Sequence, residues 1–254
     1  AGEVMGRFFT APRRFFSTTP GEGVETVEHA FSCPALAGMK LAFFSDIHAS
    51  PRFSDAAMEA LLARVAALGA DIVCIGGDFA EDEESLARLL RFFPLLSPPL
   101  GVYACLGNND RELSGFARAI SPHARLLVNE SVFLEGLRLG GVDERKHGHP
   151  RPEAVFPHDG ASARVLLAHY PVVCDFGAGA RPDLQLSGHT HGGQFNVLGI
   201  SPYTFFFEPF SHAWISGECM LGGVRTIVSN GIGMSRVTLR VGAPPQVHLV
   251  RFTK

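Results

Sequence analysis

LAFFSDIH (residues 41–48) is a short β-prone apolar run that breaks off in Asp46 and His48, two side chains able to hold a cation. The same design returns in DIVCIGGD (71–78), GVYACLGNND (101–110), RVLLAHYP (164–171) and DLQLSGHTH (183–191). Apolar runs of this length read as buried strands, and the first three are separated by stretches of helical periodicity. Asp55 to Leu68 carries Met58, Leu61, Leu62, Val65 and Leu68 at helical spacing and stops at Gly69. Glu83 to Phe93 opens with acidic residues where the helix dipole favours them. Strand, helix, strand, helix, strand predicts βαβ units and a parallel sheet in the N-terminal half. After His191 the runs shorten to Cys219–Leu221, Val224–Val228, Val237–Val241 and Gln246–Phe252, divided by Gly-Gly, Asn-Gly and Ala-Pro-Pro turns. The expectation is a mixed two-sheet core with helices outside.

Loops just past the carboxyl ends of strands in α/β sheets converge on one crevice. Asp46, His48, Asp78, Asn108, His169, His189 and His191 can therefore meet there. This donor set of oxygen and nitrogen without thiolate suits Mn²⁺, Fe or Zn²⁺ and argues against Cu(I) or an iron–sulfur cluster. Seven ligands are too many for one tetrahedral ion. Two ions sharing a carboxylate would use them all, and two-metal sites with ions about 3.5–4 Å apart serve in-line attack on phosphorus. The sequence has no G-x-S-x-G elbow, no P-loop and no G-x-G-x-x-G, so a serine nucleophile and dinucleotide chemistry are not indicated.

The 254 residues are 46% hydrophobic and 19% charged, ample for a packed core and against intrinsic disorder. Lys+Arg 22 against Asp+Glu 25 leaves a net charge of −3, so no global basic field favours nucleic acid and no such partner is expected. Five widely spaced cysteines without a C-x-x-C indicate neither a disulfide framework nor a thiolate zinc site, and Cys74 and Cys105 read as core. No uncharged stretch reads as a membrane span. Residues 1–22 form a Phe/Arg-rich segment in which Phe8, Phe9, Phe15 and Phe16 stand beside Arg7, Arg13 and Arg14, with no acidic residue from Gly6 to Pro20. That composition fits either an interfacial segment on an anionic membrane or a terminus that tucks its rings against the domain. Pro20-Gly21-Glu22-Gly23 reads as the turn before a single domain over 23–254. The chain begins at Ala1 without an initiator Met, which leaves open a removed signal or anchor.

Asp46-Ile-His48, Gly76-Gly77-Asp78, Gly107-Asn108-Asn109-Asp110, His169 and Gly188-His189-Thr190-His191, in this order and each after a predicted strand, resemble the calcineurin-like metallophosphoesterases. The resemblance runs from about Gly23 to Lys254. LSGHTHGGQ (186–194) and IVSNGIGMSRVTLRVGAPPQVHLVRF (227–252) are most similar to the bacterial YkuE/YaeI-type subgroup. It implies an α/β fold, a four-layer αββα double β-sandwich of two mixed sheets flanked by helices. It implies that Asp46, His48 and His191 hold one divalent metal ion, that Asn108, His169 and His189 hold the other, and that Asp78 bridges, with Mn first and Fe or Zn as alternatives. It implies a phosphohydrolase in which a metal-bridging hydroxide cleaves a phosphodiester or phosphoanhydride, with Asn109, Asp78 and His189 as the catalytic positions. Many members of that subgroup are membrane-anchored or exported, which implies a membrane-associated or exported bacterial protein, and a cytoplasmic one otherwise.

One position departs from the family pattern. The residue after the metal-binding Asn is commonly His, which contacts phosphate and helps protonate the leaving oxygen, whereas here it is Asn109. Asn donates a hydrogen bond but delivers no proton, so good leaving groups are favoured over alkyl monoesters. Arg52, Arg111, His147, His149 and His212 are replacement candidates. Tyr203 to Phe210, with Trp214 beyond, either lines an apolar wall beside the metals or buries itself over the sheet. Asn109, Arg111, Phe206, Phe207 and Trp214 are the expected substrate contacts. A wall of this kind favours a lipid-linked substrate. The alternatives are a UDP-diacylglucosamine pyrophosphatase-like enzyme of lipid A synthesis, a phosphomonoesterase, and a non-catalytic metal-binding scaffold. Peripheral membrane contact goes with the interfacial reading of the N-terminal segment, the alternative to a terminus tucked against the domain, and no obligate protein partner is evident. Glu81 to Glu84 reads as a solvated helix start.

Overall fold

Strands whose residues are apolar on both faces have to be covered on both faces, and that requirement organises this chain. The computed structural model describes residues 16–172, 174–197, 201 and 214–254. The chain runs through β1 (Phe16–Ser17), β2 (Glu25–Ser32), β3 (Lys40–Phe44), α1 (Asp55–Ala67), β4 (Ile72–Ile75), α2 (Glu83–Leu90), β5 (Val102–Ala104), α3 (Phe116–Ile120) and β6 (Arg125–Leu126). A hairpin of β7 (Glu130–Leu134) and β8 (Leu137–Gly141) leads to β9 (Ala163–Leu167), β10 (Leu184–Ser187), β11 (Gly217–Leu221), β12 (Val224–Val228), β13 (Arg240–Val241) and β14 (Gln246–Thr253).

Two mixed six-stranded sheets result, ordered β2-β14-β3-β4-β5-β6 and β11-β12-β10-β9-β8-β7. Leu41, Phe43, Ile72 and Cys74 on the inner face of the first sheet pack with Val165, Leu167, Leu184, Leu186 and Ile227 of the second. Ala42, Phe44, Val73 and Ile75 point the other way, under Met58, Leu62, Leu86, Leu89 and Phe116 of the three α-helices. Ser54 caps α1 by accepting from Ala57 N (3.2 Å) and Asp82 caps α2 by accepting from Ser85 N (2.7 Å), each worth about 1 kcal/mol. The outer face of the second sheet is covered differently. Leu166 packs there with Val155, Phe156 and Phe176, around a 3-10 turn at Pro152–Ala154. A Cβ on Gly140 would stand 2.3 Å from Val155 Cγ1, so the cover sits directly on the backbone of β8.

The predicted parallel sheet is mixed. β3 to β6 are parallel, but β14 returns from the far end of the chain to lie antiparallel to β3 and parallel to β2. Val247 and Leu249 of β14 face the helices and Val250 and Phe252 face the second sheet, a two-sided burial possible only for an interior strand. Helix α2 ends at Leu90 rather than Phe93, and Pro94 lies in the following 3-10 turn Phe93–Leu95. The Val237–Val241 run contracts to Arg240–Val241, which pairs with Phe16–Ser17, so strand pairing begins before the turn at Pro20–Gly23.

Candidate metal centre and cleft

Each predicted strand delivers its polar residues to the same end of the sandwich. Asp46 and His48 follow β3, Asp78 follows β4, Asn108 follows β5, His169 follows β9, and His189 and His191 follow β10. To turn out of a buried strand so abruptly, five of these residues take positive φ: Asp46 (51°), His48 (44°), Asp78 (55°), His189 (67°) and His191 (53°). Such backbone costs a non-glycine residue on the order of 1–3 kcal/mol and gathers where function demands a particular side-chain direction. Gly77 and Gly107 make the crowding possible. A Cβ on Gly77 would lie 2.4 Å from Gly107 N, and one on Gly107 would lie 2.1 Å from Asp78 Oδ1.

Two groups form, Asp46 with His48 and His191, and Asp78 with His169 and His189, the ligand atoms of each lying within 4.8 Å of one another. Nε2 atoms of His48 and His191 are 3.0 Å apart, and His169 Nε2 is 3.3 Å from His189 Nδ1. Asp78 Oδ2 lies 3.5 Å from both His48 Nε2 and His169 Nε2, between the groups. Asn108 is buried alongside, its Oδ1 accepting from Tyr170 Oη (3.3 Å). Facing imidazole nitrogens of this kind repel unless a proton or a cation sits among them, and the buried N/O donors fit divalent ions.

Neighbours fix the orientation of these ligands. His169 Nδ1 donates to Gly76 O (2.7 Å), which leaves Nε2 for the centre, and His48 Nδ1 pairs with the Glu81 carboxylate. Asp46 accepts from His189 N at 3.0 Å and Asp78 Oδ1 from Asn109 N at 2.8 Å. The buried Asp110 carboxylate accepts from the backbone N–H groups of Asp78, Phe79 and Gly107, each at 2.8 Å. Arg240, fully enclosed, donates to Gly233 O, Ala243 O and His191 O and lies 3.3 Å from His191 Nδ1.

Electrostatics divides the cluster. Burial disfavours charge on His169, but Asp78 and Asp46 outweigh it and push its pKa up to about 10. His48 rises too, against burial, through Glu81, Asp78 and Asp46. Burial, with the charge on His169, takes His189 down to about 3, and burial with His48 and Arg240 takes His191 well below its ordinary value. Burial would raise Asp78, yet His169 and His48 hold it well below the usual carboxylate range. A divalent ion must therefore displace imidazolium protons, so its affinity rises with pH through the neutral range. Glu81→Gln is expected to weaken Mn²⁺ binding by roughly 10–100-fold, as loss of a carboxylate behind a ligating histidine does. Calorimetric titration of the metal-free protein checks it, and an unchanged affinity would remove Glu81 from the centre.

Beside the two groups opens a cleft of about 470 Å³, lined by His48, Asp78, Asn108, Asn109, His189 and His191 and, on the outer side, by Lys146, Tyr170, Phe195, Arg236 and Val237 among others. Asn109 turns its amide toward Glu81 Oε1 (3.4 Å) and accepts from Asn108 Nδ2 (2.7 Å). Arg111 is engaged by Asp143 and Glu144 instead of lining the cleft. Arg52 donates to Thr238 Oγ1, His147 pairs with Glu112, and His149 gives its backbone N–H to Asp143. Trp214 is half-buried and outside the cleft lining. Phe206, Phe207 and His212, with residues 1–15, lie outside the described residues. By residue type Glu81 belongs to a solvated acidic run, and nothing in the sequence marks a role for Asp110, Lys146 or Arg236. A lone Arg within the apolar Val237–Val241 run was the one available signal for Arg240.

Residues 39–193 match the calcineurin-like phosphoesterase family model. The chain is 24% identical to the uncharacterized metallophosphoesterase YkuE of Bacillus subtilis, over 88% of this chain and 84% of that protein. It is 27% identical to phosphodiesterase YaeI of Escherichia coli, over 97% of this chain and 98% of that protein. A transmembrane protein with metallophosphoesterase domain from Bos taurus is 30% identical over 70% of this chain, which spans 45% of its length.

Proposed function

Because the chain belongs to the calcineurin-like phosphoesterase family and is a metal-dependent phosphoesterase, we propose that it is a two-metal phosphodiesterase that also accepts phosphoanhydrides. The observation that carries this reading is Asp78 Oδ2, 3.5 Å from a ring nitrogen of each histidine group. Asp46, His48 and His191 would hold one ion, Asn108, His169 and His189 the other, and Asp78 both. Such a pair, with Mn²⁺ first and Fe or Zn²⁺ as alternatives, lowers the pKa of a water and offsets charge growing on phosphoryl oxygens. The chain's own groups do the rest. Asp110 and Gly76 hold the loops and rings in place, and the Asn109 amide binds a phosphoryl oxygen. Asn109 stands where an imidazole would protonate the leaving oxygen and itself delivers no proton.

Phe195 and Val237 in the cleft lining, with exposed Phe16 and Val197 on the adjoining ribbon, support a lipid-linked substrate and peripheral contact with a bacterial membrane. Among the described residues no helix is long and apolar enough to cross a membrane. With Mn²⁺, bis(4-nitrophenyl) phosphate is expected to be cleaved, and faster than 4-nitrophenyl phosphate. EDTA should abolish both rates. A monoester cleaved as fast as the diester would favour the phosphomonoesterase instead, and failure to sediment with phosphatidylglycerol vesicles would remove the membrane contact.

A further inference from the structure

The leaving oxygen of an unactivated diester still needs a proton, and the cleft contains few groups able to give one. In the proposed function the histidine nitrogens facing the centre are occupied by ions. Asn109 carries no labile proton, and the Arg236 guanidinium does not release one at working pH. The Thr190 hydroxyl is committed to Ile215 O (2.7 Å) and the Tyr170 hydroxyl to Asn108 Oδ1. Among the described residues lining the cleft, the ammonium of Lys146 is the one cationic N–H group that can part with a proton.

Lys146 also stands on a purpose-built support. The loop after β8 is pinned by two buried carboxylates: Asp143 accepts from the N–H groups of Glu144 and His149 (2.8 Å each), and Glu144 accepts from those of Lys146 (2.7 Å) and His147. Arg111 joins both carboxylates, so the arginine suggested as a phosphate contact instead anchors this loop. A surface loop needs no such internal bracing to keep a lysine in solvent.

We propose that Lys146 is the general acid for the leaving oxygen, taking the place of the imidazole absent at Asn109, and that the enzyme's substrates therefore include diesters with alcohol leaving groups. This rests on the phosphodiesterase reading above. As the attacking water oxygen bonds to phosphorus, the bond from phosphorus to the leaving oxygen breaks, and that oxygen takes a proton from Lys146 Nζ. The attacking water releases its proton to solvent, and solvent reprotonates the amine. An alkoxide or phenolate needs this help, whereas a nitrophenolate leaves with little of it.

The test compares methyl 4-nitrophenyl phosphate with methyl phenyl phosphate for wild type, Lys146→Met and Lys146→Arg, with Mn²⁺ saturating. Lys146 is exposed, so neither variant disturbs the core. The loss of kcat/KM in Lys146→Met should be about 10²-fold greater on the phenyl ester than on the nitrophenyl ester, a split that a merely structural role does not produce. Lys146→Arg, which keeps charge but cannot give up a proton, should show the same split. Equal losses on both esters, no loss, or recovery of the phenyl ester by arginine would each overturn the assignment. A wild type inactive on both diesters would overturn the phosphodiesterase reading and the assignment with it.

Discussion

Asp78→Ala is expected to lower turnover of an aryl phosphodiester by about 10²–10³-fold, the scale reached when one preorganised electrostatic contact to the transition state is removed. The reason is position. One oxygen of Asp78 stands 3.5 Å from His48 Nε2 and from His169 Nε2, so a single truncation takes a ligand from both histidine groups. It also strips the main counter-charge from His169, whose pKa should fall from about 10. Metal stoichiometry, counted in the dialysed variant, should drop below that of wild type. Asp78→Asn keeps the shape and one neutral oxygen, and should bind metal more weakly than wild type while staying folded. Two tightly held ions and wild-type turnover in Asp78→Ala would sink the assignment of Asp78 as the ligand shared by both groups.

Asp110→Asn should cost about 2–4 kcal/mol of folding stability although no bond to any metal is lost. The Asp110 carboxylate is the common acceptor of three buried backbone N–H groups, with Oδ2 serving Asp78 and Gly107 and Oδ1 serving Phe79. An amide can offer its oxygen to the first pair, but its NH₂ then faces the N–H of Phe79, donor against donor. An unsatisfied buried donor costs about 1–3 kcal/mol, and the repulsion adds to it. Burial and the nearby Asp78 charge already push the Asp110 pKa up to about 7, so the carboxylate is held at a cost which only these three donors offset. Denaturant unfolding of the metal-free protein, with Asp82→Asn at the α2 cap as comparison, measures the effect. A loss no greater than that of the cap variant would show that Asp110 does not organise the loops.

What could be read in advance follows from range. β3, β4, β5, β9 and β10 were legible because each is an apolar run ended by a polar residue within the same few positions, a local pattern. β2 was not, since ETVEHAFS puts Glu25, Glu28 and His29 into a strand that is secure only beside β14, whose residues are more than 200 positions away. The same distance hid the antiparallel entry of β14 between β2 and β3. Within the site, the ligand positions announced themselves by residue type. Their supports did not, because Glu81, Asp110 and Arg240 look like an acidic run, the tail of a turn and a strand cation until folding sets them against His48, the β4 loop and His191. Arg111 misled for the opposite reason, being a plausible phosphate ligand by type whose partners are the Asp143 and Glu144 carboxylates.

The five loops that carry the donors come from both sheets: Asp46, His48, Asp78 and Asn108 leave the first, and His169, His189 and His191 leave the second. Any ion bound there is a clasp across the seam of the sandwich, joining chain positions such as His48 and His191 that lie 143 residues apart. It closes a long loop as a disulfide would, but reversibly, and stabilises the fold by an amount that grows with the logarithm of its free concentration over its dissociation constant. A chelator is then expected to lower this protein's stability as well as its activity.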